Sequence, residues 1–303
     1  MSETKRVVIA GGSGFVGKAL QSSLEDKGYE VVVLSRREGS RARWDGEKLG
    51  EWAKFIDGAF AVINLAGETV AQKWTMQAMT GIEESRVKSS RVIGEAVRKA
   101  TVAPEVWLNA SAIGVYGSRG DEVLNEESKP GPENDFMPRV CLNWEAEARS
   151  GNRVETRLIF LRIGIVLERD GGAFLALYRL TKAFLGGAPG DGKQWLSWIH
   201  RHDLVKMIIW AIENPGGRGV YNACAPNPVR YQDFCSILRS KMGRPFSPNI
   251  PGVFLKIGTL LGAPDASLLL DSTRVEPQRA LSNGFEFDYP ELELAIEDLV
   301  KAP

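Results

Sequence analysis

A glycine-rich turn near the amino terminus constrains the fold of this 303-residue chain more than any other feature of its sequence. The turn reads GGSGFVG, follows an apolar stretch at residues 6–10, and opens a helical pattern over residues 15–27. Glycines at this spacing permit a tight strand-to-helix turn and leave the amide groups of the helix start open to a pyrophosphate. In this context the motif predicts that a dinucleotide binds to Gly11, Gly12, Ser13, Gly14, Phe15, Val16 and Gly17.

Short apolar runs alternate with longer helical patterns through the first half of the chain, which is typical of βαβ units. The pattern predicts an α/β fold: a Rossmann-type doubly wound parallel sheet with a smaller, mainly helical C-terminal substrate lobe. Strands are expected at residues 6–10, 30–35, 42–44, 61–65, 106–110 and 156–163. The expected domains are a Rossmann domain (1–166, with 198–224 returning to it) and a substrate lobe (167–197 and 225–303, with 249–303 as a small C-terminal module).

The end of the second predicted strand indicates which dinucleotide is preferred. A site for NAD places an acidic residue there to bind the ribose 2′-hydroxyl, whereas an arginine accommodates the 2′-phosphate of NADP. This chain has Ser35, Arg36 and Arg37, and its first acidic residue is Glu38. Because guanidinium groups form charge-assisted bonds with a phosphate dianion, the sequence predicts NADP. The alternative is a solvated basic turn.

Composition and charge exclude several classes of function. Lys plus Arg equal Asp plus Glu at 38 each, so the chain lacks the overall charge that holds nucleic acid or an anionic membrane. We therefore expect a small-molecule partner, and an anionic substrate would have to be recognised by a local arginine cluster. The three cysteines are too few for a disulfide framework, and we find neither a signal peptide nor a long apolar run. These features predict a cytoplasmic protein.

Further motifs carry a resemblance to a known superfamily. The chain reads NLAG at 64–67, ASAIGVYG at 110–117, LRIGIVL at 161–167 and SWIHRHDL at 197–204. With the glycine-rich turn, these stretches resemble the extended, sugar-nucleotide-epimerase type of short-chain dehydrogenase/reductase. The segments VINLAGE, VCLNWEAEA, RIGIVLERDGGA and VEPQRAL resemble, more specifically, an atypical subgroup of uncharacterised "epimerase family" proteins. Some proteins of this subgroup are labelled cell-division inhibitors.

The NLAG motif and the resemblance extend the expected cofactor site. Small residues at the carboxyl edge of a parallel sheet let a ligand lie against the backbone, which predicts contacts from Asn64, Leu65, Ala66 and Gly67. In the subgroup that the chain resembles, an arginine replaces a helix asparagine near the cofactor. That resemblance implies contacts from Arg86 and Ser111. Ala110, next to Ser111, is a further candidate for the cofactor, and Arg162, just inside the end of the LRIG strand, is a candidate contact with either cofactor or substrate.

The Tyr-x-x-x-Lys pair with which the superfamily moves protons is absent. Met137 and Cys141 stand at the matching positions, and in the subgroup Cys commonly replaces Lys while an upstream serine remains. The candidate catalytic residues are therefore Ser111, Tyr116 and Cys141. Tyr116 is either a titratable phenol or a structural residue. Cys141 is a nucleophile or acid if an arginine lowers its pKa, and otherwise a small buried residue beside the ribose.

Candidate substrate residues lie in the second half of the chain. The stretch QWLSWIH holds Trp195, Trp198 and His200, whose aromatic faces suit a planar or sugar ligand. Arg230, together with Arg274 and Arg279, is a candidate clamp for an anionic substrate, the alternative being that these are exposed surface arginines. No set of Cys or carboxylate residues at ligand spacing accompanies the two histidines, so we expect no metal.

Two functions remain open at this point. The first is an NADP-dependent oxidoreductase or epimerase-like enzyme acting on a small substrate, because the cofactor motifs accompany an aromatic and arginine-bearing second lobe. The second is a non-catalytic NADP(H)-binding regulatory or redox-sensing protein, because the Tyr and Lys are missing. Relatives of this type pair through helices such as those predicted at 75–100 and 137–150, which predicts a homodimer.

Overall fold

The computed structural model describes residues 4–301. Its strands are β1 (Arg6–Ala10), β2 (Glu30–Ser35), β3 (Ala42–Arg43), β4 (Ala61–Asn64), β5 (Val106–Ala112), β6 (Val123–Leu124), β7 (Arg157–Ile163), β8 (Ile165–Leu167), β9 (Trp195–Leu196), β10 (Trp198–His200), β11 (Gly219–Ala223), β12 (Val229–Arg230) and β13 (Arg274–Val275). Its helices are α1 (Phe15–Asp26), α2 (Met76–Lys99), α3 (Phe136–Gly151), α4 (Gly172–Lys182), α5 (Arg201–Glu213), α6 (Tyr231–Lys241), α7 (Gly252–Leu260), α8 (Ser267–Leu270), α9 (Gln278–Ser282) and α10 (Leu292–Lys301).

The central sheet is parallel and has the strand order β11-β7-β5-β4-β1-β2-β3. The order reverses between β1 and β4, so the loops after these two strands leave the carboxyl edge of the sheet on opposite faces. Such a switch point is where open α/β sheets bind ligands. The predicted Rossmann-type α/β fold is confirmed.

Both faces of the sheet are buried, which explains why its strands read as continuous apolar runs. Alternate residues of one strand enter different cores, as Ile9 and Val8 of β1 do. Helices α1 and α5 cover the first face, and helices α2 and α3 cover the second. On the second face Gly94 and Gly151 meet so closely that a Cβ on either would lie 2.6 Å from the other's Cα.

The rest of the chain builds a smaller unit around its own apolar core. Three short strand pairs (β8 with β10, β9 with β12, β6 with β13) accompany α4, α6 and α10. The carboxylate of Asp203, on α5, is buried and accepts the backbone N–H groups of Asp288 and Tyr289, both at 2.9 Å. This contact attaches the segment that precedes α10 to the sheet. Over residues 4–301, none of the helices has the length and apolar character needed to cross a membrane.

Candidate dinucleotide site

The turn between β1 and α1 has no room for side chains at three of its glycines. A Cβ on Gly11, whose φ is +78°, would lie 2.7 Å from the carbonyl group of Leu65, in the loop after β4. A Cβ on Gly12 would lie 2.8 Å from Val33, and one on Gly17 would lie 2.5 Å from the Gly11 oxygen. The turn therefore packs backbone against backbone at the switch point, as a seat for a pyrophosphate requires.

Helix α1 begins at this turn without a side-chain cap. Its N-cap residue, Gly14, has extended backbone and makes no capping hydrogen bond with a side chain. Gly14 and Ser13 are exposed, whereas Phe15 packs against the second lobe near Gly171. The amide groups of the helix start, rather than the side chains of Phe15 and Val16, are thus the groups that this site offers to an anion.

The end of β2 presents two arginines to solvent. Arg36 and Arg37 are exposed, and the hydroxyl of Ser35 accepts the backbone N–H of Arg37 at 3.1 Å. The neighbouring acid, Glu38, lies 3.6 Å from the guanidinium of Arg43. Ser35 therefore shapes this turn through its hydroxyl, and the two arginine side chains remain accessible.

Asn64 ends β4 inside the protein. Its side-chain oxygen accepts the N–H of Ala66 at 3.1 Å, and its amide group donates to Ser90 and to Asn109, the latter at 2.8 Å. These bonds use the whole side chain, so Asn64 orients the loop at 65–67 instead of contacting a ligand through its amide. The Asx turn at Ala66 also explains why the strand expected at 61–65 stops at Asn64.

Arg86 of α2 lies behind that loop. Its guanidinium stacks 5.1 Å from the ring of Trp144 and donates to the carbonyl groups of Ile82 and Glu68, both at 2.9 Å. A Cβ on Gly67 would lie only 3.0 Å from its Cζ atom. Burial lowers the pKa of this guanidinium from its usual value, yet the group stays a cation next to the loop.

A buried carboxylate, Glu145 of α3, organises the floor of the site. The hydroxyl of Ser111, at the end of β5, donates to Glu145 Oε1 at 2.8 Å, and Arg162 donates to both carboxylate oxygens at 2.9 and 3.1 Å. Burial alone would raise the pKa of Glu145, but the bonds from Arg162 and Ser111 hold it below its usual value. Arg162 is thereby committed to Glu145 and does not extend toward a cofactor.

Glu145 does not appear among the residues that the motifs predict. The sequence carries a signal for it, because residue 145 lies on the same helix face as Cys141, Trp144 and Ala148. That face is buried. A carboxylate on an apolar face must have a partner, and the arginine and serine on neighbouring strands supply it.

Tyr116 and Cys141 do not meet the requirements of proton donors. The phenol of Tyr116 is fully buried, donates to Asn222 at 2.8 Å and accepts from Arg162 at 3.0 Å, and burial raises its pKa. Burial raises the pKa of Cys141 to about 12, and the negative charge of Glu145 adds to this effect. Of the two roles considered for Cys141, these surroundings fit the small buried residue, because the nearby Arg86 offsets too little of the burial to lower the pKa of the thiol. Met137 packs against Gly114 where the tyrosine would stand.

Two of the expected substrate residues are structural. Trp198 is fully buried in the core of the second lobe, and its indole N–H donates to the carbonyl of Asn227 at 3.2 Å. His200 is buried at the start of α5, where its ring stacks 4.0 Å from that of Tyr289. Neither side chain can form a wall of an open cleft, contrary to the substrate contacts that the sequence predicted for Trp198 and His200.

Trp195 and Arg230 do lie together, with a second arginine. The guanidinium carbons of Arg230 and Arg274 lie 4.2 and 4.4 Å from the ring centre of Trp195. Asp121 accepts from the indole at 2.9 Å and pairs with Arg230 at 2.8 Å. The Nε atom of Arg274 is buried without a hydrogen-bond partner in the part of the chain described.

Arg279 does not join the cluster of Trp195, Arg230 and Arg274. Its guanidinium donates to the carbonyl of Val220 at 2.9 Å and to the carboxylate of Glu127 at 2.6 Å, beside β11. The three-arginine clamp that the sequence suggested is therefore reduced to Arg230 and Arg274.

The parallel sheet, the glycine seat at its switch point and the uncapped helix define a dinucleotide-binding protein of the Rossmann type. The chain belongs to the NAD dependent epimerase/dehydratase family, whose model matches residues 7–224, and a domain of unknown function matches residues 250–299. It is 34% identical to the chloroplastic Epimerase family protein SDR39U1 homolog of Arabidopsis thaliana, over 97% of this chain and 86% of that protein. It is 32% identical to Epimerase family protein YfhF of Bacillus subtilis, over 97% of each chain.

Solved structures show the same architecture. The crystal structure of human epimerase family protein SDR39U1 with NADPH superimposes with a TM-score of 0.89 at 29% identity, covering 98% of this chain and 99% of that chain. MoeE5 in complex with UDP-glucuronic acid and NAD superimposes with a TM-score of 0.76 at 23% identity, covering 98% of each chain. The likeness to MoeE5 supports the fold alone.

Proposed function

We propose that this protein binds NADP(H) across the carboxyl ends of β1 and β4 and is an NADP-dependent oxidoreductase or epimerase-like enzyme. The observation that carries the cofactor assignment is the end of β2, where Arg36 and Arg37 are exposed in place of an acid. The similarity to a human protein crystallised with NADPH supports the same preference. The cytoplasm stays the predicted location.

The residues of the site fit such a cofactor. The amide groups at the start of α1 would hold the diphosphate, and the missing side chains of Gly11 and Gly17 keep the seat open. Arg36 and Arg37 would bind the 2′-phosphate. When bound, the nicotinamide ring would supply or accept a hydride.

Ser111 is 2% exposed, but it lies at the carboxyl end of β5, where ligands bind, and it is the candidate contact with the reacting oxygen of the substrate. Because Glu145 is ionised, it can only accept, so the Ser111 proton is directed toward it. The lone pairs of the Ser111 oxygen are then available as acceptors. This polarity suits a substrate hydroxyl better than a carbonyl, so we propose that the substrate presents an alcohol group to Ser111.

The second lobe favours a negatively charged substrate. Arg274 carries a buried Nε without a partner in the described residues, next to the stacked Trp195 and Arg230. A phosphate or carboxylate oxygen would accept from the terminal N–H groups of the Arg274 guanidinium and neutralise part of the local positive charge. We therefore propose that the substrate is a small anionic alcohol or its ketone.

Titration with NADPH and NADH tests the cofactor assignment. We expect wild-type protein to prefer NADPH, and Arg36→Ala and Arg37→Ala each to weaken NADPH binding by about 1.5–3 kcal/mol, roughly ten- to hundredfold, with little change for NADH. Arg218→Ala is the control, because Arg218 is exposed next to β11, at the opposite edge of the sheet from β2. Equal affinity for both cofactors in the wild-type protein would remove the proposal.

A second stage of the same experiment tests catalysis. The NADP(H)-saturated protein is offered a panel of secondary alcohols and ketones that carry phosphate or carboxylate, and the absorbance of NADPH is followed. Turnover that Ser111→Ala and Arg274→Ala both reduce would support the enzyme. Tight NADPH binding with no turnover of any compound would instead favour the non-catalytic sensor, which is also compatible with the buried Tyr116 and Cys141.

A further inference from the structure

An exposed apolar surface lies on the second lobe, outside the candidate dinucleotide site. It comprises nine side chains with exposed fractions between 41% and 84%: Leu180, Phe184, Leu185, Phe246, Val253, Phe254, Ile257, Leu260 and Leu261. The two segments that carry them meet at Ile250, which exchanges 2.8 Å backbone hydrogen bonds with Ala188 and Gly190. Single proteins rarely leave an apolar patch of more than a few hundred Å² open to water, so this surface calls for a partner.

Helix α7 forms the largest part of this surface and packs none of its described residues into a hydrophobic core. Throughout its described length, Gly252–Leu260, no residue is buried. Its sequence GVFLKIGTL is strongly apolar, and Phe254 remains 61% exposed. Helices in proteins are normally stabilised by packing an apolar face against another element. The apolar face of α7 therefore lacks its counterpart in the described chain.

Phe184 adds an independent observation at the same place. Among residues 4–301 it is the one non-glycine residue with a positive φ, at +65°. This backbone conformation costs free energy for a bulky residue, and glycine would adopt it with less strain. The phenyl ring is nevertheless 57% exposed, so packing inside the protein does not account for it.

The charge of this surface indicates what covers it. Residues 171–190 and 242–264 contain no Asp or Glu, although the whole chain has as many acidic as basic residues. The same segments carry four cations: Arg179, Lys182, Arg244 and Lys256. Arg244 lies 4.7 Å from the ring of Phe184, so cations and apolar side chains are interleaved.

We propose that this apolar, cationic surface docks on an anionic lipid bilayer. Phenylalanine and leucine side chains on one side of a helix, with lysine and arginine around them, are the composition that binds at the boundary between headgroups and acyl chains. Docking of this kind needs no spanning helix. A second copy of the chain fits less well, because a two-fold interface would place the four cations against themselves.

The expectation of no membrane partner did not take this surface into account. That expectation rested on the charge of the whole chain, whereas binding at a bilayer depends on the charge of the contacting face, within a Debye length. The cations of this face are balanced by acids elsewhere in the molecule.

Co-sedimentation with lipid vesicles tests the proposal. The probes are vesicles of phosphatidylcholine alone and of phosphatidylcholine with phosphatidylglycerol in equal parts. We expect the protein to pellet with the mixed vesicles only. Lys182→Glu with Lys256→Glu, and separately Phe254→Ser with Leu261→Ser, should each lower the bound fraction about tenfold or more. Raised salt should weaken binding of the wild-type protein.

Matched controls keep the result interpretable. Val102→Ser with Val154→Ser removes comparably exposed side chains (61% and 93%) from the Rossmann half and should leave vesicle binding unchanged. NADPH titration shows whether each variant is folded. Absence of wild-type binding, or equal binding to both vesicles, would overturn the proposal. So would a dimer in sedimentation velocity without lipid that Phe254→Ser with Leu261→Ser dissociates, because a second copy would then cover the surface.

Discussion

At the scale of single residues, the buried Glu145 determines what its neighbours can do. It accepts hydrogen bonds from the Ser111 hydroxyl and from two nitrogens of the Arg162 guanidinium. Arg149 donates a further hydrogen bond at 2.8 Å. A carboxylate in this position is stable only while its partners are present. The orientation of the Ser111 hydroxyl follows from it, and its charge adds to the burial that raises the pKa of the Cys141 thiol.

Glu145→Gln should destabilise the protein strongly. The amide keeps the shape but leaves the Arg162 guanidinium, 7% exposed, without its counter-charge, and breaking a buried pair costs about 3–5 kcal/mol. Urea unfolding at neutral pH measures this loss. Glu147→Gln, on the same helix but paired with the exposed Arg91, should change stability by less than about 1 kcal/mol. Equal losses in the two variants would contradict the assigned importance of Glu145.

Residue identity alone predicted some of these positions and missed others. The glycines and Arg36–Arg37 could be singled out because the roles expected of them depend on neighbours in the chain. Tyr116, Trp198 and His200 could not be placed, because each is buried by segments far away in sequence, such as Asn222 for Tyr116. An aromatic or titratable side chain fits a ligand pocket and a core equally well when only its local sequence is known.

At the scale of elements, the turn between β1 and α1 sets the positions of both the loop after β4 and helix α1. It seats backbone of the β4 loop against Gly11 and packs α1 against the strand through Gly17. Six of the seven strands of the sheet were predicted, most of them because their buried apolar runs are continuous, whereas β11 was expected only as part of the stretch 198–224 that returns to the sheet domain. The short pairs of the second lobe were not predicted, because two- or three-residue strands such as β9 and β12 carry no periodicity to recognise.

Gly17→Ala should impair cofactor binding through the geometry of this turn. The new methyl group would lie 2.5 Å from backbone atoms of Gly11 and Gly12, which cannot yield as a flexible side chain does. We expect NADPH affinity to fall by more than about tenfold and stability to fall by about 1–3 kcal/mol, as measured by titration and urea unfolding. Gly216→Ala, whose nearest contact would be 3.5 Å, is the control. Unchanged NADPH affinity would refute the proposed seat.

At the scale of the whole molecule, the junction around α5 holds the carboxyl-terminal segment on the sheet. His200 stacks on Tyr289, and its Nε2 lies 3.4 Å from Asp298 of α10. Burial lowers the pKa of His200 to about 4, an effect that the nearby Asp298 only partly opposes. The imidazole is therefore neutral in the folded protein at neutral pH.

This junction should weaken in mild acid. Between pH 6.5 and pH 4 the unfolded chain protonates His200 while the folded protein does not, so stability falls as the pH decreases through this window. The expected contribution is about 2 kcal/mol between pH 7 and pH 5, measured by urea unfolding at both values. His200→Asn, which keeps a side chain able to cap α5, should remove that part of the pH dependence. His202→Asn, at a ring 58% exposed, should not, and an identical pH profile for all three proteins would exclude the assignment.

The carboxylate of Asp203 has a consequence for how such chains can evolve. Separate family models describe residues 7–224 and 250–299, as though the two stretches were interchangeable parts. Yet Asp203, in the first stretch, is fully buried and spends both oxygens on backbone amides of the second. A different later stretch that covered Asp203 without offering amide groups at this place would leave a buried carboxylate without hydrogen-bond donors. Any later stretch that packs on this first one must therefore present two backbone amide groups to Asp203.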